Sequence, residues 1–433
     1  MKFASSVFAA IGLNAALLAD VAAPAAASDS DVYPPTEVKV ARSNQAGDEE
    51  TPAATSAQQH LRRANVFNSS NGNVNIIVVL KDDGRRRRNL TGNGQETAAE
   101  KKAAAEENKA AAAAAAASMG AVATFTYGGA ALFGFAASVP PGQRKQIEED
   151  PRVDYVEDDA TVQLSPIEMG GDRRRLPGKP GGGGDPAQTT PWGISRVKGG
   201  ASNQDYGTAW VLDTGIDLDH PDLNVDVANS ESFAGQSPND EHGHGTHVAG
   251  TIAAIQNNIG VVGVAAGAPV VSVRVLDRRG SGTWSGVIAG VEHVAANCGP
   301  NDVANMSLGG GLSQTVNNAV IAASANCPFV LAAGNESTDA GSKSPASAEG
   351  NNIYTVSAFS QVDKWASFSN YGNVVDFAEP GVSIHSTWKG GGYNTISGTS
   401  MAAPHLAGIV LVGSVTCNPY NKDPDGRGEQ TPA

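Results

Sequence analysis

Val211-Leu212-Asp213-Thr214-Gly215, His244-Gly245-Thr246-His247-Val248-Ala249-Gly250 and Gly398-Thr399-Ser400-Met401-Ala402-Ala403-Pro404-His405 decide the fold of this chain. Each block sets one residue of catalytic type, Asp213, His244 or Ser400, among small neighbours. A serine hydroxyl is a weak nucleophile until a base takes its proton, and the base needs a carboxylate to fix its tautomer. One Ser, His or Asp alone says nothing. Taken singly, Ser400 reads as a helix N-cap and Asp213 as a strand-end turn residue. Gly-flanked blocks in the order Asp, His, Ser match one of the chain orders known for that constellation, and together they outweigh the single readings.

Around the blocks, apolar runs alternate with helical stretches. Residues 270–276, 303–308, 329–333 and 353–358, and the run around Val211, read as buried strands. Residues 245–254, 285–296 and 315–324 read as helices, and 400–412 as a buried helix with the nucleophile at its start. This predicts an α/β fold, a mainly parallel sheet with helices on both faces. Cys298 and Cys327 each precede a run of neighbouring strands and are the favoured disulfide; Cys417 is left over, or exchanges with one of them.

Upstream, the β-rich run 74–80, an Ala/Glu/Lys helix over 96–117, runs at 124–127 and 132–137, a helix near 141–149 and a run at 153–157 give β-α-β-β-α-β. That order predicts a small α+β ferredoxin-like domain over 73–164. Residues 165–186, with Arg173-Arg174-Arg175 and a Pro/Gly run, read as a basic linker open to processing. Residues 187–433 form the larger domain.

Lys2, the short apolar run 7–18 and Ala25-Ala26-Ala27 read as a signal peptide over 1–27, so the chain is expected to be secreted. Residues 28–72 are polar and expected to be a disordered pro-segment. A net charge of −14 excludes nucleic acid as the main partner, no later run suits a membrane span, and a monomer is expected. Asn68 and Asn89 are the better glycosylation acceptors; Asn305 and Asn335 fit the same signal inside core segments.

The three blocks resemble the subtilisin-like serine proteases (subtilases). Residues 134–137 and 150–157 resemble the inhibitor propeptides of the proteinase K-like branch, and 187–194 resembles a mature N-terminus. The resemblance implies a zymogen whose activation cut lies between Arg175 and Ala187, or whose first cut lies nearer Leu164. It implies that Ser400 attacks the scissile carbonyl, His244 shuttles the proton and Asp213 orients His244. Asn335, in Ala332-Ala333-Gly334-Asn335-Glu336, would donate to the oxyanion. Protein and peptide substrates would lie as an added strand between Gly280-Ser281-Gly282 and Ser307-Leu308-Gly309. Ala332, Ala333 and Gly334 would wall the nearer pocket, and Trp284, Val287 and Leu308 the farther apolar one. The implied preference is broad, apolar or aromatic, with Glu336 admitting a basic residue. The segment 253–261 resembles a structural calcium loop, with side chains of Gln188, Asp222 and Asn257 and carbonyls of Ile255, Ile259 and Val261 as ligands; Gln188 would join only after the linker is cut. Two alternatives are a silent inhibitory or adhesive module that keeps its propeptide, and a kexin-like processing protease.

Overall fold

The computed structural model describes residues 72–81, 98–164, 168–169, 186–202, 204–413, 417–419 and 430–432. The expectations for the signal peptide, the pro-segment to residue 71, Asn68, Asn89 and Arg173-Arg174-Arg175 lie outside the described residues.

The first domain runs β1 (Val74–Leu80), α1 (Ala98–Ser118), β2 (Ala123–Gly128), β3 (Phe133–Val139), α2 (Pro141–Glu148) and β4 (Val153–Asp158). Its antiparallel sheet has the order β2-β3-β1-β4, the α+β pattern expected. Strand β1 is apolar at nearly every position because both its faces are covered. Ile76, Val78 and Leu80 pack with Ala112 and Ala116 of α1 and Ile147 of α2. Ile77 and Val79 point the other way, into a cluster shared with the second domain. The Ala-rich helix is therefore no solvated spacer: Ala105, Ala112 and Ala116 are buried.

After β5 (Thr161–Gln163) and β6 (Glu168–Met169) the second domain begins with α3 (Trp192–Arg196), β7 (Ala209–Asp213), β8 (Glu231–Ser232), α4 (His244–Ala253) and β9 (Val270–Arg274). It continues through β10 (Ser281–Thr283), α5 (Trp284–Asn297), β11 (Val303–Met306), β12 (Gly310–Gly311), α6 (Gln314–Ala323), β13 (Phe329–Ala332), β14 (Lys343–Ser344) and β15 (Ile353–Phe359). It closes with β16 (Phe377–Pro380), β17 (Ile384–Trp388), β18 (Gly392–Ser397), α7 (Thr399–Val412), β19 (Cys417–Pro419) and β20 (Gln430–Pro432). The main sheet has the order β19-β20-β16-β15-β13-β11-β7-β9-β8 and is parallel throughout except for β19 on β20. Side chains alternate between two cores. Leu212, Val273, Met306 and Leu331 face α5 and α6; Val211, Val303, Val330 and Val356 face α4 and α7. Helices on both faces explain why the strands are continuous apolar runs. Cys298 and Cys327 are joined as a disulfide. Cys417 lies on the short edge strand β19.

Candidate active site

Parallel strands carry their loops to one sheet edge, and the expected residues gather there. Asp213 ends β7 and is fully buried. His244 opens α4, its Nδ1 2.8 Å from Asp213 Oδ1 and 2.9 Å from Oδ2. With the carboxylate on Nδ1, that nitrogen holds the proton and Nε2 is left as the acceptor. Glycines permit this approach. A Cβ on Gly245 would meet the Gly215 carbonyl at 2.1 Å, and Gly243, at φ +114°, would drive one into the Trp388 ring at 2.3 Å.

Ser400 lies in the first turn of α7. Its Oγ donates to the Ser307 carbonyl at 3.1 Å, while Ser307 Oγ donates to the Ser400 carbonyl at 2.8 Å. In the uncut chain the hydroxyl is thus turned toward Ser307. Asn335 Oδ1 accepts from Thr399 N at 2.8 Å and Thr399 Oγ1 at 2.9 Å. That leaves its Nδ2 facing Gly398, 3.4 Å from where a Cβ would stand. His247, one turn beyond His244, is buried and bonds the Ile384 carbonyl at 3.0 Å. Burial pushes its pKa down to about 3. Among the described residues no cluster of three or more His, Cys, Asp and Glu is disposed to hold a metal.

Ser307, Leu308, Gly309, Ala332, Ala333, Gly334 and Asn335 line one pocket with Ser400. Gly280, Ser281 and Gly282 lie on the cleft edge at β10, and Trp284 opens α5. The chain itself fills this cleft. Strand β5 pairs antiparallel with β10, Val162 opposite Gly282, and Leu164 N donates to the Gly280 carbonyl at 2.9 Å. Val162 is buried in the cluster that holds Trp284, Val287 and Leu308, and Leu164 lines the pocket beside Ser400. Farther on, β6 pairs with β18, Glu168 opposite Ser397, just before the nucleophile. Glu336 also lines the pocket; its Oε2 accepts from Asn370 Nδ2 at 2.8 Å and lies 3.6 Å from Lys343 Nζ.

Three carboxylates at the interface between the domains carried no signal in the sequence. Glu157 accepts from Thr315 N at 3.0 Å, Thr315 Oγ1 at 2.6 Å and Ser313 Oγ, satisfying the start of α6. Asp159 does the same for α5, from Ser285 N at 2.9 Å and Ser285 Oγ at 2.7 Å. In return, Glu292 of α5 accepts from the backbone of Ala131, at 2.7 Å, and Leu132. Burial pushes the Glu292 carboxyl up to about 7 and raises that of Asp159. Orphan N–H groups at helix starts attract anions. Sequence spacing is blind to such caps because donor and acceptor come from different domains.

The loop after α4 gathers the six residues expected around a cation. Gln188 Nε2 lies 2.8 Å from the Ile255 carbonyl, 3.2 Å from Asn257 Oδ1, 3.4 Å from the Ile259 carbonyl and 3.1 Å from the Val261 carbonyl. Asp222, buried, accepts from Asn257 Nδ2 at 2.8 Å and Val261 N at 3.0 Å. One expectation is corrected. Gln188 is seated here in the uncut chain, because Gln188 N, Thr189 N and Gly260 N already stitch the segment after the linker to this loop.

Residues 210–413 match the protein family described as Subtilase family, and residues 76–165 match Peptidase inhibitor I9. The chain is 39% identical over 296 residues to the Cuticle-degrading protease of Metarhizium anisopliae, covering 64% of this chain and 70% of that protein. It is 41% identical over 296 residues to Alkaline serine exoprotease A of Vibrio alginolyticus, covering 65% of this chain but only 52% of that protein. Proteinase R of Parengyodontium album is 37% identical over 292 residues, 64% of this chain and 68% of that protein. A solved cold-adapted subtilisin-like serine proteinase is 39% identical, with a TM-score of 0.47, over 55% of this chain and 96% of that one.

Proposed function

The chain belongs to the subtilase family of serine proteases, and on that premise we propose that it is a secreted endopeptidase made as a zymogen, with residues 73–164 as its chaperone and inhibitor. The observation that carries this reading is the approach of His244 Nδ1 to Asp213, at 2.8 and 2.9 Å, beside a Ser400 pocket that the chain's own Leu164 lines. When substrate replaces β5, Ser400 Oγ turns from Ser307 to His244 and attacks the carbonyl. His244 takes the proton and returns it to the leaving amine, and Asp213 stabilises the imidazolium. Asn335 Nδ2 and the Ser400 N–H stabilise the oxyanion.

The substrate takes the place of β5, with main-chain pairing to β10 and side chains in the two pockets. Val162, in the farther pocket, supports an apolar preference there. Lys343 already answers the charge of Glu336, which favours uncharged over basic residues in the nearer one. Leu164 lines the Ser400 pocket and β6 pairs beside Ser397, which supports a first cut nearer Leu164 and later trimming in the basic linker.

A calcium ion fits the loop around Gln188. An amide nitrogen has two hydrogens, yet four oxygens surround this one. Turning the amide over would add a further oxygen, an all-oxygen set suited to a hard cation. Gln188, Asp222, Asn257 and the carbonyls of Ile255, Ile259 and Val261 would hold it. Bound there, the ion would tie the segment after the linker to the domain.

Intact mass of the secreted chain and of Ser400→Ala, each with and without a fluorophosphonate, tests the function. The expected result is a mature-sized wild type with one adduct and an uncut, unlabelled Ser400→Ala. Cutting of both with label on wild type alone would assign activation to another protease. A folded wild type that takes no adduct would leave the module with a retained propeptide as the reading.

A further inference from the structure

We propose that Asp240 is a positioning residue for this reaction, holding the first turn of α4, and with it His244, against the loop that follows Asp213. The inference rests on the triad reading above. Asp240 is only 4% exposed, and its carboxylate accepts five hydrogen bonds. Oδ1 takes His242 N and Gly243 N, each at 2.8 Å, and Thr214 Oγ1 at 3.0 Å. Oδ2 takes Thr246 N at 3.0 Å and Thr246 Oγ1 at 2.6 Å. The bonds bracket His244 on both sides along the chain. They also cross to the aspartate side, because Thr214 Oγ1 in turn accepts Gly245 N at 3.0 Å. Asp240 N donates to the Ile216 carbonyl at 3.0 Å, closing the clamp.

The site asks for acceptors on both oxygens. Each of these donors is an N–H or O–H, and a carboxylate offers acceptors only. An amide at this place keeps one oxygen and turns two hydrogens toward Thr246 N–H, a donor against a donor. Glycines at 243 and 245 let the helix start approach; they do not hold it. Asp240 supplies the restoring force, and a small displacement of a catalytic base costs rate without weakening substrate binding.

The test uses the full chain, matured by limited trypsin in the basic linker and freed of trypsin with its own inhibitor. For Asp240→Asn on a peptide anilide, kcat should fall about 10–100-fold with KM within about twofold of wild type. Thr214→Val removes only the cross-link and should lower kcat by a smaller factor. The two together should cost little more than Asp240→Asn alone, because they break one clamp. Wild-type kcat in folded Asp240→Asn, or additive losses, would overturn the proposal, as would kcat and KM changing in step. Should Asp240→Asn fail to fold, Thr214→Val decides: an unchanged kcat overturns the inference. A wild type inactive in the same assay would instead sink the triad reading.

Discussion

Glu379 sits on β16 fully buried, and among the described residues neither of its carboxylate oxygens has a hydrogen-bond partner. Burial holds its carboxyl well above the usual range, with Arg196 only partly opposing. Such a group contributes stability below the carboxylate pKa of the unfolded chain, and that contribution is lost as pH rises toward the folded value. Wild type should therefore melt progressively lower from about pH 5 upward. Glu379→Gln should flatten that slope and gain about 1–3 kcal/mol at pH 8, or several degrees in Tm. Parallel melting curves for the two proteins across pH would reject the argument. The sequence hid this residue, since nothing around Glu379 marks it as buried. Asp240 was hidden too: nothing in its spacing from His244 marks a clamp. The triad was legible for the opposite reason, because each member needs small neighbours to let backbones approach, and those neighbours are printed in the chain.

Among the elements, α5 and α6 show how the two domains recognise one another. Both helices begin at the interface, and the N-terminal domain completes their caps with Asp159 and Glu157. Glu292 makes the contact pH-dependent. Its carboxyl stands at about 7 in the complex and should return to about 4.3 once the propeptide leaves and water reaches it. Between those values association takes up a proton, so the propeptide binds most tightly at and below the lower one, weakens as pH rises and levels off above about 7. Asp159, raised by burial, acts in the same direction. Inhibition of the mature enzyme by its cleaved propeptide should weaken about 40-fold from pH 5 to 7. Glu292→Gln retains an oxygen for Ala131 and Leu132 and should remove most of that slope. An unchanged slope in this variant would refute the assignment. Element types were readable from period and composition, even for the Ala-rich α1. What those elements do for each other was not, since β1 reveals only that both faces are covered, never by what.

At the scale of the whole molecule, the order of maturation depends on when the segment after the linker docks. The resemblance puts Gln188 in the cation loop and makes cleavage the step that frees it to enter. Distances along a chain cannot say whether an uncut linker already reaches. Here Gln188 N donates to the Asn258 carbonyl at 3.2 Å, Thr189 N to Gly260 at 2.8 Å and Gly260 N to Pro186 at 2.8 Å, with the linker intact. Calcium should then stabilise the zymogen as well as the mature enzyme. Uncut Ser400→Ala isolates that state. In calcium at about 100 times its Kd, linkage gives about 2.7 kcal/mol, so its Tm should exceed the value in EGTA by roughly 5–10 °C. Magnesium should substitute poorly, because it demands a stricter geometry than this mixed set of carbonyls and amides offers. Gln188→Ala and Asn257→Ala should each shrink the shift, and Asn257→Ala should also lower the melting point in EGTA because buried Asp222 loses a donor. A calcium shift confined to the cut enzyme would mean that docking follows cleavage, and no shift in either form would remove the cation from this loop.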